Sequence, residues 1–280
     1  MRLGHALVAV AFIFGTAGYA QNILKMPVVY TVPGLEAVRA TRVVYRTDGD
    51  VSLQMDVYRP PNLGKNERRA AVLFLHGGAD ISRPPAPIDW GVYQSYGRLM
   101  GASGLIGVTF NQRIGDTRDG LHKGFADARA AIEYVRSHAD DLQVDRDRIC
   151  LAAYSAGGPL LAIAIGDPQP YIRCLVGFYA VMDIPPPLTP ERAVFSPIEQ
   201  LKLNADKLPP ILIARAGKDS AWLNATIDRF VAEAASHDIR IEFHNIRGAP
   251  HGFDVLRATP EVRAVIARAI AFMKANLEER

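Results

Sequence analysis

Residues 149–163 read Ile149-Cys150-Leu151-Ala152-Ala153-Tyr154-Ser155-Ala156-Gly157-Gly158-Pro159-Leu160-Leu161-Ala162-Ile163. An unbroken apolar run of strand length meets a serine set among small residues, and an apolar, helix-like run follows. Strand, tight turn and helix form the context in which a serine is presented as a nucleophile. Small residues two before and two after it let the turn close, so that its Oγ stands clear at the top of a sheet. Gly157 fills the second small position; Ala153 fills the first, where Gly is the common choice. Taken alone, the pattern equally describes a serine capping a helix, a favoured place for that residue. The flanking sequence decides.

Outward from this turn the chain alternates strand-like and helix-like stretches. Ala70–His76, Leu105–Phe110, Cys174–Val181 and Pro210–Ala216 are apolar runs, and Ile239–Ile246 reads as a last strand. Continuous apolar strands suit a sheet buried on both faces. Between them Phe125, Ala128, Ile132 and Val135 share one helical face, as do Ile227, Phe230, Val231 and Ala234; Val262, Val265, Ile266, Ala269 and Met273 continue the pattern in a final helix. Upstream, Thr41–Thr47 and Ser52–Tyr58 flank Asp48-Gly49-Asp50 as a hairpin. The expectation is a single α/β domain over 41–280: a mostly parallel sheet with an N-terminal antiparallel hairpin and helices on both faces. Two proline-bearing stretches interrupt it, Ile81–Trp90 and Ile184–Leu208, the second read as a lid-like insertion at 184–208 that shapes a binding site.

Three further motifs fall at expected strand ends. Leu75-His76-Gly77-Gly78 closes a strand with glycines whose N–H groups no side chain crowds. The N–H groups of Gly78, Ala79 and Ala156 are the candidate donors to an oxyanion. His251, in Gly248-Ala249-Pro250-His251-Gly252-Phe253, is the reachable general base, while His76 reads as a loop brace. Asp219, after Ile211–Ala216, is the preferred acid, with Asp183 its competitor; the order Ser, Asp, His favours Asp219. Asp80, Trp90, Tyr93, Asn111, Gln112 and Arg113 border the expected pocket, and Asp80, Asn111 and Tyr154 are the candidate substrate contacts. No histidine pair has metal-ligand spacing, so neither metal nor cofactor is expected.

With these motifs in this order, the chain resembles the α/β-hydrolase fold. Leu75-His76-Gly77-Gly78, Asp127–Val135 leading to Arg148-Ile149, Ser155-Ala156-Gly157-Gly158, Gly217-Lys218-Asp219 and His251-Gly252-Phe253 resemble the acetyl-esterase and hormone-sensitive-lipase-like esterases, and are similar to secreted feruloyl or acetyl-xylan esterases. The resemblance implies a serine esterase with Ser155, His251 and Asp219 as triad, acting on a small or carbohydrate-linked ester. Ala79 and Asp80 depart from the usual third Gly and following residue, which puts the oxyanion donors in question but removes no reacting side chain. A peptidase, amidase or lactonase of the same fold is the nearest alternative; a non-catalytic binding protein on this scaffold is a further one.

Composition narrows the rest. Of 280 residues 49% are hydrophobic and 22% charged, a globular balance that excludes disorder and disulfide-dense mini-folds. The net charge of +3, without a Lys/Arg block, gives no reason to expect nucleic acid as a partner. Residues 1–20, with Arg2, apolar Ala6–Phe14 and Gly18-Tyr19-Ala20, read as a signal peptide, giving an exported chain with a 21–40 extension and no stable membrane anchor. Oligomeric state is not legible. Cys150 and Cys174 each open an apolar strand, and buried free thiols are expected, since neighbouring parallel strands seldom present relaxed bridge geometry.

Overall fold

In a computed structural model, residues 23–114 and 118–278 are described; the expected signal segment lies outside them. Eight strands form one sheet: β1 (Ala40–Asp48), β2 (Val51–Tyr58), β3 (Arg69–Leu75), β4 (Ile106–Phe110), β5 (Val144–Tyr154), β6 (Ile172–Phe178), β7 (Ile211–Ala216) and β8 (Ile241–Ile246). Their spatial order is β1-β2-β4-β3-β5-β6-β7-β8. The pairings β1/β2 and β2/β4 are antiparallel and the rest are parallel, as expected for a hairpin followed by β-α units. The hairpin turns through Gly49, in the left-handed region at φ 58°, and Asp50.

Alternation along the strands divides the core in two. Leu73, Val108, Leu151, Leu175 and Ile213 face one side, under helices α2 (Arg118–Ser137), α3 (Pro197–Asn204) and α4 (Ala221–Ser236). Val72, Phe74, Cys150, Ala152, Val176 and Leu212 face the other, under α1 (Gly91–Ala102) and α5 (Pro260–Leu277). Central strands therefore read as uninterrupted apolar runs because both of their faces are covered.

One expectation is corrected here. Cys150 and Cys174 are disulfide-bonded, not free. Their strands pair with these two residues directly opposite, Cα atoms 4.7 Å apart, which lies inside the bridgeable range. Sequence alone does not show that register. Within the 184–208 insertion Ile184, Phe195, Ile198 and Leu201 are buried in the core, while Leu188, Val194 and Leu203 are exposed large apolar side chains. Among the described residues no helix is long and apolar enough to cross a membrane.

Candidate active site

Ser155 follows the last residue of β5 directly and adopts φ 52°, a left-handed conformation that costs a non-glycine residue energy. Packing behind the turn enforces it. A Cβ on Gly157 would lie against the Leu75 and His76 carbonyl oxygens, and one on Gly158 against the backbone of Val181. The Val181 N–H donates to the Ser155 carbonyl oxygen at 2.9 Å. The small residues that announce the turn in sequence are those that let it nest between β3 and the bend after β6.

The triad expected from the sequence meets at the C-terminal edge of the sheet. His251 Nε2 lies 2.9 Å from Ser155 Oγ, and its Nδ1 lies 2.6 Å from Asp219 Oδ2. In the tautomer this pattern requires, Nδ1–H donates to the carboxylate and Nε2 accepts the serine hydroxyl. Asp219 is almost covered while the His251 side chain remains 22% exposed, so the carboxylate is sheltered and the imidazole reachable. Asp219 Oδ1 accepts the Ser220 N–H, which leaves Oδ2 for the histidine. Ser220 in turn caps α4 by accepting the Leu223 N–H, so the carboxylate sits at the positive end of a sixteen-residue helix. The turns carrying Asp219 and His251 are stitched together: Gly217 N–H donates to the Ile246 carbonyl and Lys218 N–H to that of Ala249.

Asp183, the competing acid, is engaged elsewhere. Its Oδ1 accepts the Ser196 hydroxyl and the Ile184 N–H, and its Oδ2 pairs with Arg229. It anchors the 184–208 segment rather than a histidine.

The candidate oxyanion loop lies against the serine. A Cβ built on Gly77 would stand 3.2 Å from Ser155 Cβ, and one on Gly78 3.3 Å from Ala156 Cβ. The Gly77 N–H is used, donating to Tyr93 Oη at 2.8 Å. The N–H groups of Gly78 and Ala79 have no backbone or side-chain acceptor among the described residues, and Ala156 lies in the first turn after the serine, where N–H groups lack intrahelical partners. His76 is the brace it was read to be: Nδ1–H donates to the Gly77 carbonyl, Nε2 accepts the Gln112 N–H, and the Gln112 amide returns a bond to the His76 carbonyl. Burial pushes its pKa down to about 4, so the ring is neutral.

The expected substrate contacts fare differently. Tyr154 is a correction. It is 2% exposed and packs among Phe74, Tyr96 and Phe178, because alternation turns the residue before the serine into the α1/α5 face. Asn111 is also corrected: its Oδ1 accepts the Ile88 N–H, bracing the 81–90 loop. Of the other residues expected at the pocket border, Gln112 is fully buried against His76, and Arg113 is committed to Asp127 and Asp48. Asp80 remains at the surface, accepting from Ser82 and paired with Arg83.

Tyr179, which the sequence did not single out, stands at this site. It begins the bend after β6 at φ 38°, its ring centroid 4.6 Å from that of His251. No glycine or turn motif marks the position, so nothing in the sequence pointed to it.

Proteins similar to this chain include esterases and a lipase. The BD-FAE family model matches residues 55–167, less than half of the chain. "Esterase LipC" of Mycobacterium tuberculosis is 26% identical over 84% of the chain, which spans 67% of that protein. A "Secreted lipase" of Arthroderma benhamiae is 31% identical over 38% of the chain, which spans 24% of its length. Among solved structures, esterase 2 of Thermogutta terrifontis phosphoramylated by tabun superposes with a TM-score of 0.69 at 20% identity, covering 88% of this chain and 98% of the other. A butyrate-bound form of the same esterase gives 0.66 at 20% identity, with 89% and 98% covered.

Proposed function

We propose that this chain, which has the α/β-hydrolase fold, is an esterase that cleaves carboxylic esters through Ser155, His251 and Asp219 by way of an acyl-enzyme. One observation carries this: an unbroken hydrogen-bonded line from Asp219 through His251 to the strained Ser155, beside two small-residue backbones whose N–H groups are available. Ser155 Oγ bonds to the carbonyl carbon as its proton passes to His251 Nε2. Asp219 holds the imidazole in its reacting tautomer and balances the imidazolium. The oxyanion forms beside Ala156 and Gly78 or Ala79; one such donor is worth about 10²–10³ in rate. The ester C–O bond then breaks, His251 returns the proton to the departing alcohol, and water repeats the sequence on the acyl-serine.

The substrate we infer is a small or carbohydrate-linked ester. The butyrate held by the Thermogutta esterase supports a short acyl group. A disulfide in the sheet supports the exported location read from residues 1–20, because such bonds persist in oxidising compartments. The decisive experiment is Ser155→Ala assayed on p-nitrophenyl butyrate. A folded protein with turnover reduced by about 10⁴-fold or more is expected, and full activity ends the proposal. Measuring the parent on matched ester and amide substrates separates an esterase from an amidase of the same fold.

A further inference from the structure

Asp219 holds His251 at Nδ1, on the edge of its ring. A hydrogen bond from Nδ1 sets a point and a direction, but leaves the imidazole able to swing about that axis, and such a swing carries Nε2 away from Ser155.

Tyr179 packs beside the imidazole, the ring centroids 4.6 Å apart and the planes tilted by 57°. It is fixed at both ends. Its N–H donates to the Ala214 carbonyl at 2.7 Å, and its hydroxyl donates to Asp254 Oδ1 at 2.8 Å. Asp254 is fully buried and belongs to the same turn as His251, three residues further on. Its Oδ2 accepts the Tyr96 hydroxyl at 2.8 Å, and its carbonyl oxygen accepts the Val29 N–H, so helix α1 and the N-terminal extension hold it too. Among the described residues no lysine or arginine pairs with this carboxyl, an unusual state for a buried acid. Burial pushes the carboxyl up and the two tyrosine hydroxyls up, keeping the latter as donors. Two residues beyond Tyr179, the Val181 N–H holds the Ser155 carbonyl. One bend thus touches both the nucleophile and the base.

We propose that Asp254, acting through Tyr179, is a positioning residue for His251: it clamps the face of the imidazole while Asp219 clamps its edge. This rests on the triad reading above, so Ser155→Ala is measured beside it. Loss of activity in that variant keeps the triad, and the remaining variants then judge the clamp alone.

Tyr179→Phe keeps the ring and deletes only the hydroxyl bond to Asp254. Its kcat is expected to fall about 10-fold, the scale of a small misplacement of a reacting group, with KM within about twofold. Labelling by a fluorophosphonate probe should slow in parallel, because that reaction also needs Ser155 and His251 together. Asp254→Asn should give a similar loss, and the double variant should be no slower than the slower single one, since both cut the same link. A merely structural pair would lower the melting temperature and leave kcat at 25 °C unchanged. Tyr179→Phe with kcat within twofold of the parent overturns the proposal, as do losses that multiply in the double variant. Should Asp254→Asn fail to fold, Tyr179→Phe decides.

Discussion

Two His-Gly pairs stand at the same edge of the sheet and do different work. His76-Gly77 closes β3, and His251-Gly252 follows β8. Both histidines have both ring nitrogens hydrogen-bonded. The partners of His76 are backbone groups, the Gly77 carbonyl and the Gln112 N–H, and the ring is 1% exposed. The partners of His251 are side chains with chemistry of their own, and solvent reaches its ring. A ring tied to backbone is a strut whose charge state is locked by burial. A ring tied to a hydroxyl and a carboxylate can take a proton on Nε2 and give it back while the carboxylate balances its charge. The difference lies in what faces the residue, since both dipeptides read alike.

The largest test of that contrast is Asp219→Asn, which leaves His251 in place but favours the wrong tautomer. kcat is expected to fall about 10⁴-fold with little change in stability, read in steady-state kinetics alongside urea unfolding; a tenfold loss or less would make His251 another strut. Next in size is His76→Asn, where the loss belongs to stability. Removing two buried hydrogen bonds and leaving the Gln112 N–H unmet should cost about 2 kcal/mol at neutral pH. The sign of its pH dependence follows from the lowered pKa. The folded chain refuses a proton that the unfolded chain accepts, so the parent's stability from this group is complete above about 6.5 and declines as pH falls towards about 4. The gap between parent and variant in urea titrations should therefore narrow over that window; a constant gap would mean that His76 carries no such linkage. The smallest effect is expected from Asp183→Asn. kcat should stay within about threefold, and stability should drop by about 1 kcal/mol through the Ser196 and Arg229 contacts. A large kinetic loss there would reopen which acid serves the base.

Much of this was legible because it is local. The 149–163 stretch specifies strand, turn and helix through residues that touch one another, and the hairpin around Gly49 does the same. The meeting of Ser155, Asp219 and His251 followed from order, given that parallel strands put all their C-terminal ends on one edge. Features that depend on which strand lies beside which stayed hidden. Cys150 and Cys174 are 24 residues apart, and only the β5/β6 register makes them partners. Tyr154 and Asn111 sit where pocket residues sit in sequence, yet one points into the aromatic core and the other at a loop N–H. Tyr179 takes a left-handed backbone without glycine, a choice that only its three-dimensional setting enforces.

The disulfide has a consequence for the register of the sheet. Neighbouring residues of β5 point to opposite sides, so a slip by one position against β6 would invert everything after Cys150. A slip by two would keep the faces but carry the serine about 7 Å along the strand, beyond the reach of its partners. A mispaired chain brings the two sulfurs out of opposition and leaves thiols still open to exchange. The aligned chain closes the bond and seals it, both cysteines being fully buried. The bond thus fixes the β5/β6 register at a point five residues before Ser155.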